Sequence, residues 1–117
     1  MNMPERRHDR LADQIRAEVA QMIVAELKDP RIGFSTVTRV DLNPDLQHAR
    51  VLVSVLGGEE AQRTTIEGLL SAAGFLRREI GRRLSLRRVP DLIFVLDRGP
   101  EEATRIETVL RELKQGD

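Results

Sequence analysis

The chain reads as a single α+β domain of two layers, and three observations lead there. Apolar residues first recur at helical spacing, two runs rich in β-branched residues then flank a turn, and a third apolar run follows a second helical stretch and is entered through a proline. The predicted order is helix, strand, strand, broken helix, strand, helix, in one domain over 1–117, with the core fold at about 6–96 and a closing helix at 100–114.

Leu11, Ile15, Val19, Met22, Ile23 and Leu27 recur at steps of three and four and share one face of a first helix from about Arg6 to Lys28. Asp29-Pro30 ends it, because the residue before a proline is pushed out of the helical region. Thr36 to Leu42 and Ala49 to Leu56 read as strands, joined in an antiparallel hairpin by the turn signal Asn43-Pro44-Asp45, and Gly57-Gly58 breaks the second. From about Glu59 to Leu84, Leu69, Ala73, Leu76, Ile80 and Leu84 form one apolar stripe. Gly68, Gly74 and Gly81 interrupt this helix at about 1 kcal/mol each relative to alanine, so a kink or a break into two helices is expected. Val89-Pro90 introduces a third strand, Leu92 to Leu96, with the proline where it forfeits no ladder hydrogen bond. Gly99-Pro100-Glu101-Glu102 opens the last helix, whose apolar face is Ile106, Val109, Leu110 and Leu113.

Composition then narrows the function. Of 117 residues 40% are hydrophobic and 32% charged, enough for one core under a densely charged surface. There is no cysteine, which removes disulfides, thiolate catalysis and cysteine-held zinc, and fits a reducing cytosol. The polar start, Met1 to Arg10, does not read as a secretory signal, and the longest apolar run, Val51 to Leu56, is far too short to span a bilayer. A cytoplasmic protein without membrane contact is expected. His8, in an expected frayed terminus, and His48, in the hairpin turn, have no partner at ligand or catalytic spacing, and Asp29, Asp41 and Asp45 read as helix-end and turn residues. Neither G-x-G-x-x-G nor G-x-x-x-x-G-K-[ST] occurs. No catalytic activity, metal, cofactor or small-molecule substrate is therefore expected.

The net charge is +0, which taken alone argues against a nucleic-acid binder, but the charges are unevenly spread. Between Phe75 and Pro90, Arg77, Arg78, Arg82, Arg83, Arg87 and Arg88 face a single acid, Glu79. Arg78 and Arg82 form an i,i+4 pair opposite the apolar stripe, with Arg77 and Arg83 on its flanks. The guanidinium fork suits bidentate phosphate contact, although a merely solvated helix face would carry the same residues. With only three phenylalanines and no tryptophan or tyrosine, a reader that stacks bases on aromatic platforms is disfavoured, so recognition of RNA would rest on shape and phosphates.

Four segments resemble the ribosome-binding factor A family: Glu26-Leu27-Lys28-Asp29-Pro30-Arg31, Val40 to Leu46, Val51 to Gly57, and Ser71 to Arg78 continuing to Val89-Pro90-Asp91-Leu92. The resemblance implies a KH-like type II fold, helix-strand-strand-kinked helix-strand-helix, with a three-stranded sheet and the helices on one face. Ordinary KH domains clamp nucleotides with a G-x-x-G loop, which this chain lacks. Ala72-Ala73-Gly74 stands at that junction and resembles the family's Ala-x-Gly kink.

The resemblance further implies a monomeric, cytoplasmic assembly factor that binds the free 30S subunit and its 16S rRNA, assists late rRNA maturation and supports growth in the cold. A ribosome-assembly GTPase is a further expected partner. The RNA-binding residues are then Ala72, Ala73, Gly74, Arg77, Arg78, Arg82, Arg83, Arg87 and Arg88. Two departures stand out: the Gly99-Pro100 link before the last helix, and the short end Gln115-Gly116-Asp117. The competing reading is a protein–protein adaptor without direct RNA contact; a small acid–base enzyme has no supporting residues.

Overall fold

The structure, a computed structural model, describes residues 3–99, with side chains from Arg7 onward. The closing helix expected at 100–114 lies outside these residues. The described elements are α1 (Met3–Ala25), β1 (Ser35–Leu42), β2 (His48–Val55), α2 (Glu59–Arg83) and β3 (Asp91–Leu96). One sheet has the order β1-β2-β3, with β1 antiparallel and β3 parallel to β2. This is the expected α+β two-layer fold. Ile15, Val19, Met22 and Ile23 of α1 and Leu69, Leu76 and Ile80 of α2 pack into one core with the inward residues of all three strands.

The strand pattern needs one irregularity to work. Val37, Val40 and Leu42 are all buried, yet Val37 and Val40 are an odd number of residues apart and would point to opposite faces of a regular strand. The ladder slips between Val37 and Arg39, so that Thr38 is an extra residue and both valines face the helices. The Thr38 hydroxyl donates to a carboxylate oxygen of Asp97, just beyond β3, and holds that carboxyl below its ordinary range. Central β2 alternates cleanly, with Ala49, Val51 and Val53 fully buried.

α1 ends at Ala25, three residues before the sequence-based boundary at Lys28. The Leu27 amide donates to Met22 O at 3.1 Å, five residues back, which closes the last turn and tucks Leu27 against the core. Asp29-Pro30 then forms a tight turn. Arg31 donates from its backbone amide (2.9 Å) and its guanidinium (2.6 Å) to the Asp29 carboxylate, lowering that carboxyl to about 2.

α2 is continuous through Ala72-Ala73-Gly74, so the alternative of a break into two helices does not occur. Two of its three glycines are needed for packing. A Cβ on Gly68 would lie 2.7 Å from Ile32 Cγ1 and one on Gly81 would lie 2.6 Å from Val89 Cγ2, both inside contact distance. The loop after α1 thus presses on α2 at Gly68, where the Gly33 amide also donates to the buried Thr65 hydroxyl at 3.1 Å. The loop after α2 folds back onto Gly81, with the Leu86 amide donating to Gly81 O at 3.0 Å and Ser85 in the left-handed region at φ 54.

Gly68→Ala and Gly81→Ala should each destabilise the domain by about 1–3 kcal/mol, the range for overpacking a filled site, read as a lower midpoint in urea. The Asp29 carboxyl gives a pH signature. Its folded pKa lies below its unfolded value, so its contribution is present above pH 3.8 and lost as pH falls towards about 2. Asp29→Asn should flatten the stability–pH curve in that window, and an unchanged curve would mean that the turn carries no such linkage.

Candidate nucleic-acid interface

α2 buries Leu69, Leu76 and Ile80, and turns Leu70, Gly74, Phe75, Arg77 and Arg78 towards solvent. Ala72 and Ala73 lie half-buried beneath that surface, packed against the core. Gly74 differs from the other two glycines of the helix. A Cβ there would meet only the Arg78 Nη1 atom, at an ordinary 3.5 Å. Nothing in the described fold requires a glycine at this point, although it weakens the helix by about 1 kcal/mol.

The six arginines differ in exposure and in the partners they meet. Arg78 is exposed and has no ion pair among the described residues, and the same holds for Arg87 and Arg88 in the loop after α2. Arg77 leans towards the sheet, donating to Val89 O at 3.0 Å with its Nε 3.3 Å from Asp91. Arg82 pairs with Glu79 at 2.7 Å, an exposed i,i+3 bridge. Arg83 is withdrawn from the outer face. It contacts Glu26 at 2.7 Å, Glu79 at 3.3 Å and Glu18 at 3.5 Å, with only 22% of its side chain exposed. Hydrogen bonds from Arg82, together with the charges of Arg82 and Arg83, hold the Glu79 carboxyl below its ordinary range. Arg83 thereby ties α1 and the turn just after it to the end of α2.

Arg77, Arg87 and Arg88 also line an open groove of about 940 Å³ at the end of the sheet where β2 and β3 begin. Leu11, Leu46 and Leu86, with Val89 and Pro90, supply its apolar lining, and Asp45 and Asp91 are its two acids. Leu46, at the hairpin tip, holds φ 61, a conformation that suits glycine or asparagine better than leucine. Sequence reasoning named most of these residues without bringing them together as a groove; an apolar Leu46 directly after Asn-Pro-Asp was the one available signal.

The histidines also sit differently from expectation. His8 lies within α1, not in a frayed end, and its Nε2 donates to the Asn43 carbonyl at 3.2 Å in the tautomer protonated there. His48 is the first residue of β2, opposite Asp91. Among the described residues no cluster of three His, Asp or Glu could hold a metal, and no helix is long and apolar enough to cross a membrane. A second, apolar hollow of about 370 Å³ lies near Ile23, Leu27 and Ile32. Val24 and Phe34 border it, each 84% exposed.

Residues 7–110 match the sequence profile of the family described as Ribosome-binding factor A. The ribosome-binding factor A of Thermomicrobium roseum is 48% identical over 113 residues, covering 97% of this chain and 88% of the relative. That of Brevibacillus brevis is 43% identical over 111 residues, covering 95% and 92%. The crystal structure of ribosome-binding factor A from Thermus thermophilus superposes with a TM-score of 0.68 at 31% identity, covering 76% of this chain and 93% of that one. A homology model of the Thermus thermophilus factor, fitted into the cryo-EM map of a 30S complex, superposes with a TM-score of 0.64 at 32% identity, covering 77% and 94%.

Gly74→Ala should stabilise the isolated domain by about 0.4–1 kcal/mol, because the added methyl makes only an ordinary contact with the flexible end of Arg78 and the unfolded chain loses freedom. Urea denaturation checks this, and a loss of stability would reveal a backbone constraint at the junction.

Proposed function

Because the chain belongs to the ribosome-binding factor A family, we propose that it is a cytoplasmic ribosome biogenesis factor that binds the free 30S subunit and assists late maturation of its 16S rRNA. Growth in the cold is the condition in which its loss is felt most. It acts as a monomer, without a catalytic step of its own, and a ribosome-assembly GTPase is its further partner. The relative fitted into a 30S complex supports the choice of subunit.

The observation that carries this reading is Gly74. An exposed glycine with no packing role inside the domain fits a surface that something else approaches closely, and Arg78 stands one turn further on. A phosphate backbone laid along α2 meets the open Ala72-Ala73-Gly74 junction and then Arg77 and Arg78. Arg87 and Arg88 extend the cationic track beyond the helix end. Arg82 joins once it leaves Glu79, a bridge worth little on an exposed surface. Arg83, held by three glutamates, supports the helix pair instead of meeting RNA.

One specific feature favours a second reading, the adaptor. Val24, Phe34 and Leu56 are 84%, 84% and 78% exposed, and the Leu56 amide donates to Phe34 O, which brings two of these apolar residues together. That face suits a protein partner.

Sedimentation with purified small subunits tests the main proposal. The wild-type chain should co-migrate at moderate salt, and Gly74→Ala and Arg78→Glu should each reduce the bound fraction while the fold persists. A slope of log affinity against log salt of about −1.8 follows from roughly −0.9 for each of two phosphates, one met by Arg78 and one shared by Arg87 and Arg88. Absence of co-migration overturns the proposal. Association with cellular partners that survives complete RNA digestion favours the adaptor.

A further inference from the structure

The groove between the start of α1, the β1–β2 hairpin tip and the loop after α2 combines three kinds of group. Leu11, Leu46 and Leu86 form an apolar lining. Arg87 and Arg88, exposed and without ion pairs among the described residues, stand on one wall. Asp45 and Asp91 supply carboxylates, the first steadied by the Gln47 amide at 3.0 Å and the second by Arg77.

A duplex backbone has no use for the apolar lining, and an apolar peptide has none for the arginines. An unpaired nucleotide uses all three: the phosphate takes the guanidinium forks, the base face takes the leucines and a guanidinium plane, and a base amine donates to a carboxylate.

Backbone strain is concentrated at the same place. Leu46 and Ser85 are the two non-glycine residues with positive φ among the described residues; Leu46 lines the groove, and Ser85 directly precedes Leu86, which also lines it. Leu46 is 39% exposed, so core packing does not account for a leucine in a conformation that asparagine adopts more readily. The strained position presents an apolar side chain to the groove.

We propose that this groove holds one unpaired RNA nucleotide whose base bears an exocyclic amine, with its phosphate on Arg87 and Arg88 and its base against Leu46 and Leu86. The assignment rests on the RNA-binding reading above and gives it a substrate class: a single-stranded element beside the backbone contacts of α2. The nucleotide is extruded from its stack before it enters, so recognition favours loops and strand ends over paired helices.

Short oligocytidylate and oligouridylate of equal length carry the same phosphate charge and differ at the base amine, so they serve as probes in fluorescence-anisotropy titrations. The wild-type chain should bind oligocytidylate about fivefold more tightly, and Asp45→Asn should erase that preference. Leu46→Asn, which keeps the turn conformation, should weaken both oligonucleotides about tenfold without lowering Tm, and Arg87→Ala should do likewise. Equal wild-type affinity for the two probes overturns the proposal. Unchanged binding by Leu46→Asn does the same, as does displacement of oligocytidylate by polyglutamate as effectively as by unlabelled RNA.

The two readings fail separately. If small subunits sediment with the wild-type chain but the groove variants change neither probe, the groove assignment falls and the 30S reading stands. If the probes respond as expected but subunits do not co-migrate, the 30S reading falls and the groove stands.

Discussion

The arrangement of this domain depends on two places where a loop side chain comes closer to a helix than any Cβ would permit. At Gly68 and Gly81 the missing methyl lets Ile32 and Val89 press onto α2, so the loops that follow both helices are seated on a single rod. That contact fixes where α2 lies, and through it which of its residues face outwards. Gly74 lies six residues from Gly68 and seven from Gly81, and its own surroundings are open. Residues of the same type serve opposite ends along one helix: two admit neighbours from within the chain, and the third leaves room outside it.

The fate of the arginines follows from the same geometry. Seating α2 beside α1 brings Glu18 and Glu26 within reach of Arg83, which becomes a clasp between the helices. Arg78 is exposed and meets no carboxylate among the described residues. Charges only a few positions apart in the chain thus acquire different roles, because α1 and the turn after it add partners to the one that local spacing offers, Glu79.

Element identity and order were legible because each element carries its own periodicity, and the Leu69, Leu76 and Ile80 stripe is buried as its spacing predicts. What local sequence did not carry was information held between elements. Two of the three glutamates that claim Arg83 lie 57 and 65 residues away from it in the chain, beyond the reach of a helical wheel. The slip at Thr38 was hidden because a bulge becomes visible only when a strand is aligned with its partner. The Gly74 junction was found by resemblance, whereas the physical distinction between it and Gly68 needed the loop that packs on only one of them.

The bulge in β1 also bears on how the molecule behaves when crowded. Among the described residues β1 is one border of the sheet, and a border strand offers unpaired amides and carbonyls to any similar strand it encounters. Thr38 disturbs the regular spacing of those groups, and Arg39 beside it adds a side chain that is 65% exposed. A residue inserted to keep Val37 and Val40 facing inwards therefore also spoils the template on which fibril-like stacking would begin.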